Sequence, residues 1–208
     1  MRKRQPGREE VGVPRNIRHY LPSLLVALVV AAPKAALAGN IAYQAAARAY
    51  LAAAVQPWMT DPTIIAAVKA QNAAFATISQ ADIVGWDREW RAENANGGGP
   101  LIEELLSRRL SGWLRARQSQ SQGVISEIIL TDNHGLNVAQ DVATTDYWQG
   151  DEDKFLLTYA ADSKSWFIAP PERDESNMLM DVQASIAIRD ATGARIGTLT
   201  VTLRLDAL

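Results

Sequence analysis

Val182-Gln183-Ala184-Ser185-Ile186-Ala187-Ile188-Arg189, then Asp190-Ala191-Thr192-Gly193, then, after a short lead, Thr198-Leu199-Thr200-Val201-Thr202-Leu203-Arg204-Leu205 is the stretch that decides the fold class. In the first run Val182, Ala184, Ile186 and Ile188 alternate with Gln183, Ser185, Ala187 and Arg189. In the last, Leu199, Val201, Leu203 and Leu205 alternate with Thr198, Thr200, Thr202 and Arg204. Successive side chains of a strand point to opposite faces, so a period of two predicts two strands, each with one apolar face. The Asp-x-x-Gly between them is turn chemistry. The reading is a long antiparallel hairpin with one buried face.

Three further strands are expected upstream. Ser126 to Asp132 is β-rich and ends in Asp132-Asn133-His134-Gly135, a strong turn signal; Leu136 to Gln140 is the returning strand. Ser165 to Ala169 reads as a strand stopped by Pro170-Pro171. Asp151 to Tyr159 reads as a short helix or helical turn.

The half before residue 122 is helical in character. Gly39 to Val55 is alanine-rich, with Ile41, Ala45, Ala49 and Ala52 at helical spacing, and Pro57 stops it. Asp61-Pro62 opens a second helix with Ile64, Ile65, Val68 and Phe75 facing inward. Ser79-Gln80-Ala81-Asp82 resembles a capping box for a helix through Trp86 and Trp90. Asn94 to Gly99 is a loop, and Pro100 begins a helix whose apolar stripe is Leu101, Leu105, Leu106, Leu110, Trp113 and Leu114. The fold class is therefore α+β: a five-stranded antiparallel sheet with a long N-terminal helix and flanking helices on one side.

The N-terminus reads as an export signal. Arg2, Lys3, Arg4, Arg8, Arg15 and Arg18 precede the uncharged run Leu21 to Ala32, and Ala36-Leu37-Ala38 is a small-x-small site. That order predicts a signal peptide over 1–38, cleaved after Ala38, and a single domain over 39–208. The alternative is an uncleaved anchor, but about 12 apolar residues fall short of the roughly 20 that span a bilayer. A cleaved chain has no stable membrane insertion and is expected in the periplasm. The leader holds seven of the 21 basic and two of the 23 acidic residues, which leaves a formal charge of −7 on the remainder. That charge argues against nucleic acid and anionic membranes as partners. The absence of cysteine excludes thiol nucleophiles, Cys-ligated zinc and iron–sulfur clusters.

Asp146-Tyr147-Trp148 is the leading candidate site. Aromatic rings supply a flat apolar wall, and the carboxylate can hold an ammonium group or accept hydroxyl hydrogen bonds. The same residues serve equally as a core cap with Asp146 as a turn residue. Trp166, beside Phe167 on a strand, can line a pocket with Trp148 or sit in ordinary core, and Asp181 can reach a pocket or fill an edge role. Asp151, Glu152 and Asp153 suit a helix N-terminus better than a cation site. His134, the one histidine after the leader, lies in a turn; Gly97-Gly98-Gly99-Pro100 lacks the Gly-Lys-Ser/Thr of a phosphate loop. No catalytic constellation, metal set or cofactor motif emerges.

Taken together, Ile128-Ile129-Leu130-Thr131-Asp132-Asn133-His134-Gly135-Leu136-Asn137-Val138-Ala139, the loop Asp146-Tyr147-Trp148-Gln149-Gly150-Asp151-Glu152 and the hairpin Ile186 to Leu205 resemble the PDC/Cache extracytoplasmic sensor domains over roughly residues 40–206. The loop is most similar to that of secreted single-Cache proteins of alphaproteobacterial type. The resemblance implies a PAS-like sheet that binds a small organic ligand (an amino acid, organic acid or amine) between the sheet and a covering loop. It also implies signalling through a membrane sensor kinase or chemoreceptor. The chain is expected to lack an output domain of its own, so the alternative is a periplasmic accessory protein that regulates a membrane partner without a small ligand. Its contact surface would be the stripe of the 100–117 helix or the alanine-rich 41–55 helix.

Overall fold

The computed structural model describes residues 34–174 and 178–208, with side chains from residue 42 onward. Residues 1–33 of the expected leader and the side chain of Ile41 lie outside the described residues. Among the described residues no helix is long and apolar enough to cross a membrane.

Helix α1 (Lys34–Tyr50) continues through a π-helical turn (Leu51–Val55) and a 3-10 turn (Gln56–Thr60). Its inward row is Ala47, Leu51 and Val55, all fully buried. The residues read from spacing fall on the other side: Ala45, Ala49 and Ala52 are exposed. Alanine tolerates either environment, so an alanine-rich repeat does not say which face is inside.

The next helices start as their caps require. Asp61 accepts a 2.7 Å hydrogen bond from the Thr63 amide and opens α2 (Pro62–Ala74). Ser79 and Asp82 form a complete capping box for α3 (Gln80–Ala95). The expected helix from Pro100 is two: α4 (Pro100–Ser107) and α5 (Arg109–Gln120), broken at Arg108 in an extended ψ of 140°. No Pro or Gly marks that break. Its cause is tertiary: the Arg108 guanidinium donates to Gln71 Oε1 at 3.0 Å and to the Val138 carbonyl at 2.8 Å, tying the junction to α2 and the sheet. The apolar stripe survives the break. Leu105, Leu110 and Leu114 are buried, and Leu101, Leu106 and Trp113 pack on core clusters.

The strands are β1 (Ile125–Thr131), β2 (Asn137–Gln140), β3 (Phe167–Ile168), β4 (Glu172–Arg173), β5 (Met180–Arg189) and β6 (Arg195–Arg204). They form one antiparallel sheet in the order β2-β1-β6-β5-β3, with β4 also on β5. The count is six rather than five, because the chain returns to β5 immediately after Pro170-Pro171. Leu199 pairs with Ile186 and Val201 with Ala184, and these side chains meet Ile64, Val68, Leu110 and Leu114 in the main core.

The expectation of one buried hairpin face is corrected. Ser185, Ala187, Thr198 and Thr200 on the second face are buried too. The three-residue α6 (Asp153–Phe155) and the π-helical turn Leu156–Ala160 pack across them. Hydroxyl groups make that face read as solvent-exposed, yet they can satisfy one another under cover: Ser185 Oγ and Thr200 Oγ1 lie 2.9 Å apart.

Leu199 sits at the centre of this arrangement, 1% exposed. Leu199→Ala is expected to cost about 2–5 kcal/mol, as buried Leu truncations do. The midpoint of urea unfolding checks it; a loss below about 1 kcal/mol, half the lower bound for such truncations, would place Leu199 outside the core.

Candidate functional site

The second face of the sheet carries a cavity of about 190 Å³ at the β4 end of β5. Its floor is Asp181 and Gln183 of β5 with Thr202 of β6, the last two being cross-strand partners. Its wall is the segment from Ala169 to Asp174. Prolines explain the opening. Ile168 pairs with Ala184 and Glu172 with Asp181, so four residue steps on one side match three on the other. Pro170 and Pro171 have no N–H to give β5, and the chain bows away between the two short strands.

Polar groups converge there. Ser126 Oγ donates to Asp181 Oδ2 at 2.9 Å, while Asp181 Oδ1 is buried and accepts no hydrogen bond. Thr202 Oγ1 donates to Glu127 Oε2 at 3.3 Å, which links the floor to a second carboxylate. Burial pushes the Glu127 carboxyl above the ordinary range, against the pull of the Lys154 ammonium. Lys154 is itself 8% exposed and pairs with Glu152 at 3.0 Å. Arg173 lines the wall, and Arg204, opposite Asp181 in register, has a buried Nε with no acceptor. Asp181 and Arg173 thus bring a carboxylate and a guanidinium to the lining of one small cavity, an arrangement suited to opposite ends of a small zwitterion.

The five residues singled out from sequence are not brought together. Asp181 is in this cavity. Asp146, Tyr147 and Trp148 form a clamp on α3. Asp87 Oδ1 accepts from the Tyr147 and Trp148 amides at 3.0 and 3.1 Å, and Arg91 pairs with Asp146 at 2.9 Å. Tyr147 is 3% exposed and stacks on Trp90 at 5.4 Å; burial pushes its phenol up to about 12. Trp148 Nε1 donates to the His134 carbonyl, and a side chain at Gly135 would strike Gly150. Trp166 packs on the main core with its Nε1 donating to Gln56 Oε1 at 3.0 Å. Ser126, Glu127, Gln183, Thr202 and Arg173 escaped the sequence reading. The available signal was the Pro170-Pro171 pair, which marks where a strand must leave its neighbour.

Sensor and ligand-binding domains are among the solved structures similar to this chain at low identity. The sensor domain of the V. cholerae histidine kinase DctB matches at a TM-score of 0.38 and 12% identity, over 84% of this chain and 58% of that one. The ligand-binding domain of the P. aeruginosa PAO1 amino acid chemoreceptor PctC, in complex with GABA, matches at 0.37 and 17%, over 57% and 54%. The E. coli DcuS sensor domain matches at 0.36 and 15%, over 61% and 88%. The chain spans little more than half the length of the first two. No family model matches the chain, and no curated protein matches it in sequence. The α+β assignment rests on the antiparallel sheet and its helices.

Glu127 gives the site a measurable pH signature. Folding raises its pKa, so the native state holds this proton more tightly than the unfolded chain. The stability linked to it is full below the unfolded pKa of about 4.3 and is lost as pH rises through the folded value. Glu127→Gln keeps an oxygen for Thr202 and cannot ionise. It is expected to be more stable than the native chain at about pH 7, with the gap closing near pH 3.5. Urea midpoints at the two pH values check this; the same gap at both would refute it.

Proposed function

We propose that the chain is an extracytoplasmic small-molecule-binding sensor domain, and that its ligand is a small amino acid or amine held in the Asp181 cavity. The observation that carries the reading is Asp181 Oδ1, buried in the cavity floor with no donor. A carboxylate oxygen left so costs roughly 1–3 kcal/mol, and an ammonium group entering the cavity pairs with this carboxylate as a charge-assisted contact. Arg173 lies in the same lining to take a ligand carboxylate. The cavity is smaller than the roughly 300–1,000 Å³ of drug-sized sites, which favours a ligand of few heavy atoms.

The reading is of binding, with export by a leader over 1–38 and output through a membrane sensor kinase or chemoreceptor. Binding would tie β4 and the proline segment to β5, and a partner would sense that ordering. The accessory-protein alternative loses one of its surfaces, since the stripe over α4 and α5 is packed within the chain's own core.

Thermal unfolding with glycine, alanine, 4-aminobutyrate, ethylamine and their deaminated counterparts tests the proposal. An amine-bearing ligand at a hundredfold excess over Kd is expected to raise Tm by on the order of 5–10 °C. Asp181→Asn is expected to abolish the rise while remaining folded. An equal response to deaminated acids, or a response that survives Asp181→Asn, would overturn it.

A further inference from the structure

A second cavity lies on the opposite face of the sheet, between α2, the α4–α5 break and β2, with a volume of about 510 Å³. That matches the roughly 300–1,000 Å³ of small-molecule clefts, and it is an open groove, since Thr63, Ala70, Ala74 and Arg109 along it are exposed. Its wall on α2 is Ala67, Ala70 and Ala74, which share one helix face and leave the space open because their side chains are short. Leu110 and Val138 continue the apolar surface.

The uncompensated charge at this cavity is that of Arg109. Arg108 and Arg109 both line it, and no carboxylate does. Arg108 is held in place: Glu104 accepts from its Nε and Nη2, and Gln71 and Val138 from its Nη1. Arg109 is exposed and pairs with no carboxylate among the described residues. Arg108 is also the residue that precedes α5, and its side chain caps none of that helix's first-turn amides. The positive end of α5 therefore adds to the guanidinium of Arg109. In a chain whose net charge beyond the leader is negative, this is a local reversal.

We propose that this cavity is a second binding site, for an aliphatic monocarboxylate. The carboxylate sits at Arg109 and the start of α5, and the alkyl chain lies along Ala67, Ala70 and Ala74. An amine is repelled by the Arg109 guanidinium, Arg108 being offset by Glu104, and a short polar acid leaves the alanine wall wet. The site is separate from the Asp181 cavity and does not depend on it.

Calorimetric titration of the full chain with octanoate tests the proposal, with octylamine as the charge-reversed probe. Octanoate is expected to bind at one site and octylamine not at all. Arg109→Glu, at an exposed position, is expected to weaken octanoate binding by about tenfold or more, the scale of one charge-assisted contact. Ala70→Trp, also exposed, is expected to fill the space and abolish binding. Asp181→Asn is expected to leave octanoate affinity unchanged, so this site and the amine site fail separately. Absence of octanoate binding, octylamine binding as tightly, or octanoate affinity unchanged in both Arg109→Glu and Ala70→Trp would each overturn the proposal. Loss of octanoate binding in Asp181→Asn would move the ligand to the other face and overturn it as well.

Discussion

Strand β6 is hydrogen-bonded on both edges, to β1 and to β5, and covered on both faces. Everything else in the domain is placed relative to it. On one face Leu199, Val201 and Leu203 meet the helices in an apolar core; on the other Thr198, Thr200 and Thr202 lie under α6 and the turn that follows. The two faces obey different physics. The first is held by removal of apolar surface from water, which is indifferent to direction. The second requires each buried hydroxyl to find a partner, which makes it directional and leaves defects where no partner is available. Asp181 Oδ1, Thr198 Oγ1 and Arg204 Nε are such defects, and all three belong to the hydroxyl face.

The proline step opens a cavity beside one of these defects. β3 and β4 together would make a continuous edge strand on β5, were it not for two residues without N–H groups between them. The bowed segment supplies a wall at the point where β5 carries its unmet carboxylate. Backbone chemistry and side-chain chemistry thus coincide at one place, which is what a binding site requires.

A second organising feature ties the helices to the sheet on the opposite side. Asp132 is fully buried, and burial raises its carboxyl pKa. It accepts from the His134 and Leu136 amides and from Gln71 Nε2, and Gln71 Oε1 in turn accepts from Arg108. This chain of contacts runs from the β1–β2 turn through α2 to the α4–α5 break. The loop around Tyr147 and Trp148 closes on the same turn from α3, through Asp87 and the His134 carbonyl. Its aromatic residues are thereby committed to packing α3 against the sheet.

Much of the secondary structure was legible in the residues. The hairpin's period of two, the Asp61 and Ser79 caps and the Asp132–Gly135 turn are local signals, and local signals survive folding unchanged. The α1 face was not legible, because alanine does not distinguish inside from outside; nor was the break at Arg108, which lacks Pro or Gly. Of the candidate site, Asp181 alone among the five chosen residues lines the cavity on the hydroxyl face. The threonines and serines of the hairpin form a solvent-facing pattern, since nothing within a strand reports that a distant segment of the chain will cover it. What the sequence determined by itself was the α+β class, the antiparallel hairpin and the caps, each set by the conformational preference of neighbouring residues. What only the tertiary structure decided was which polar groups would be buried without partners, because that depends on which distant segments meet.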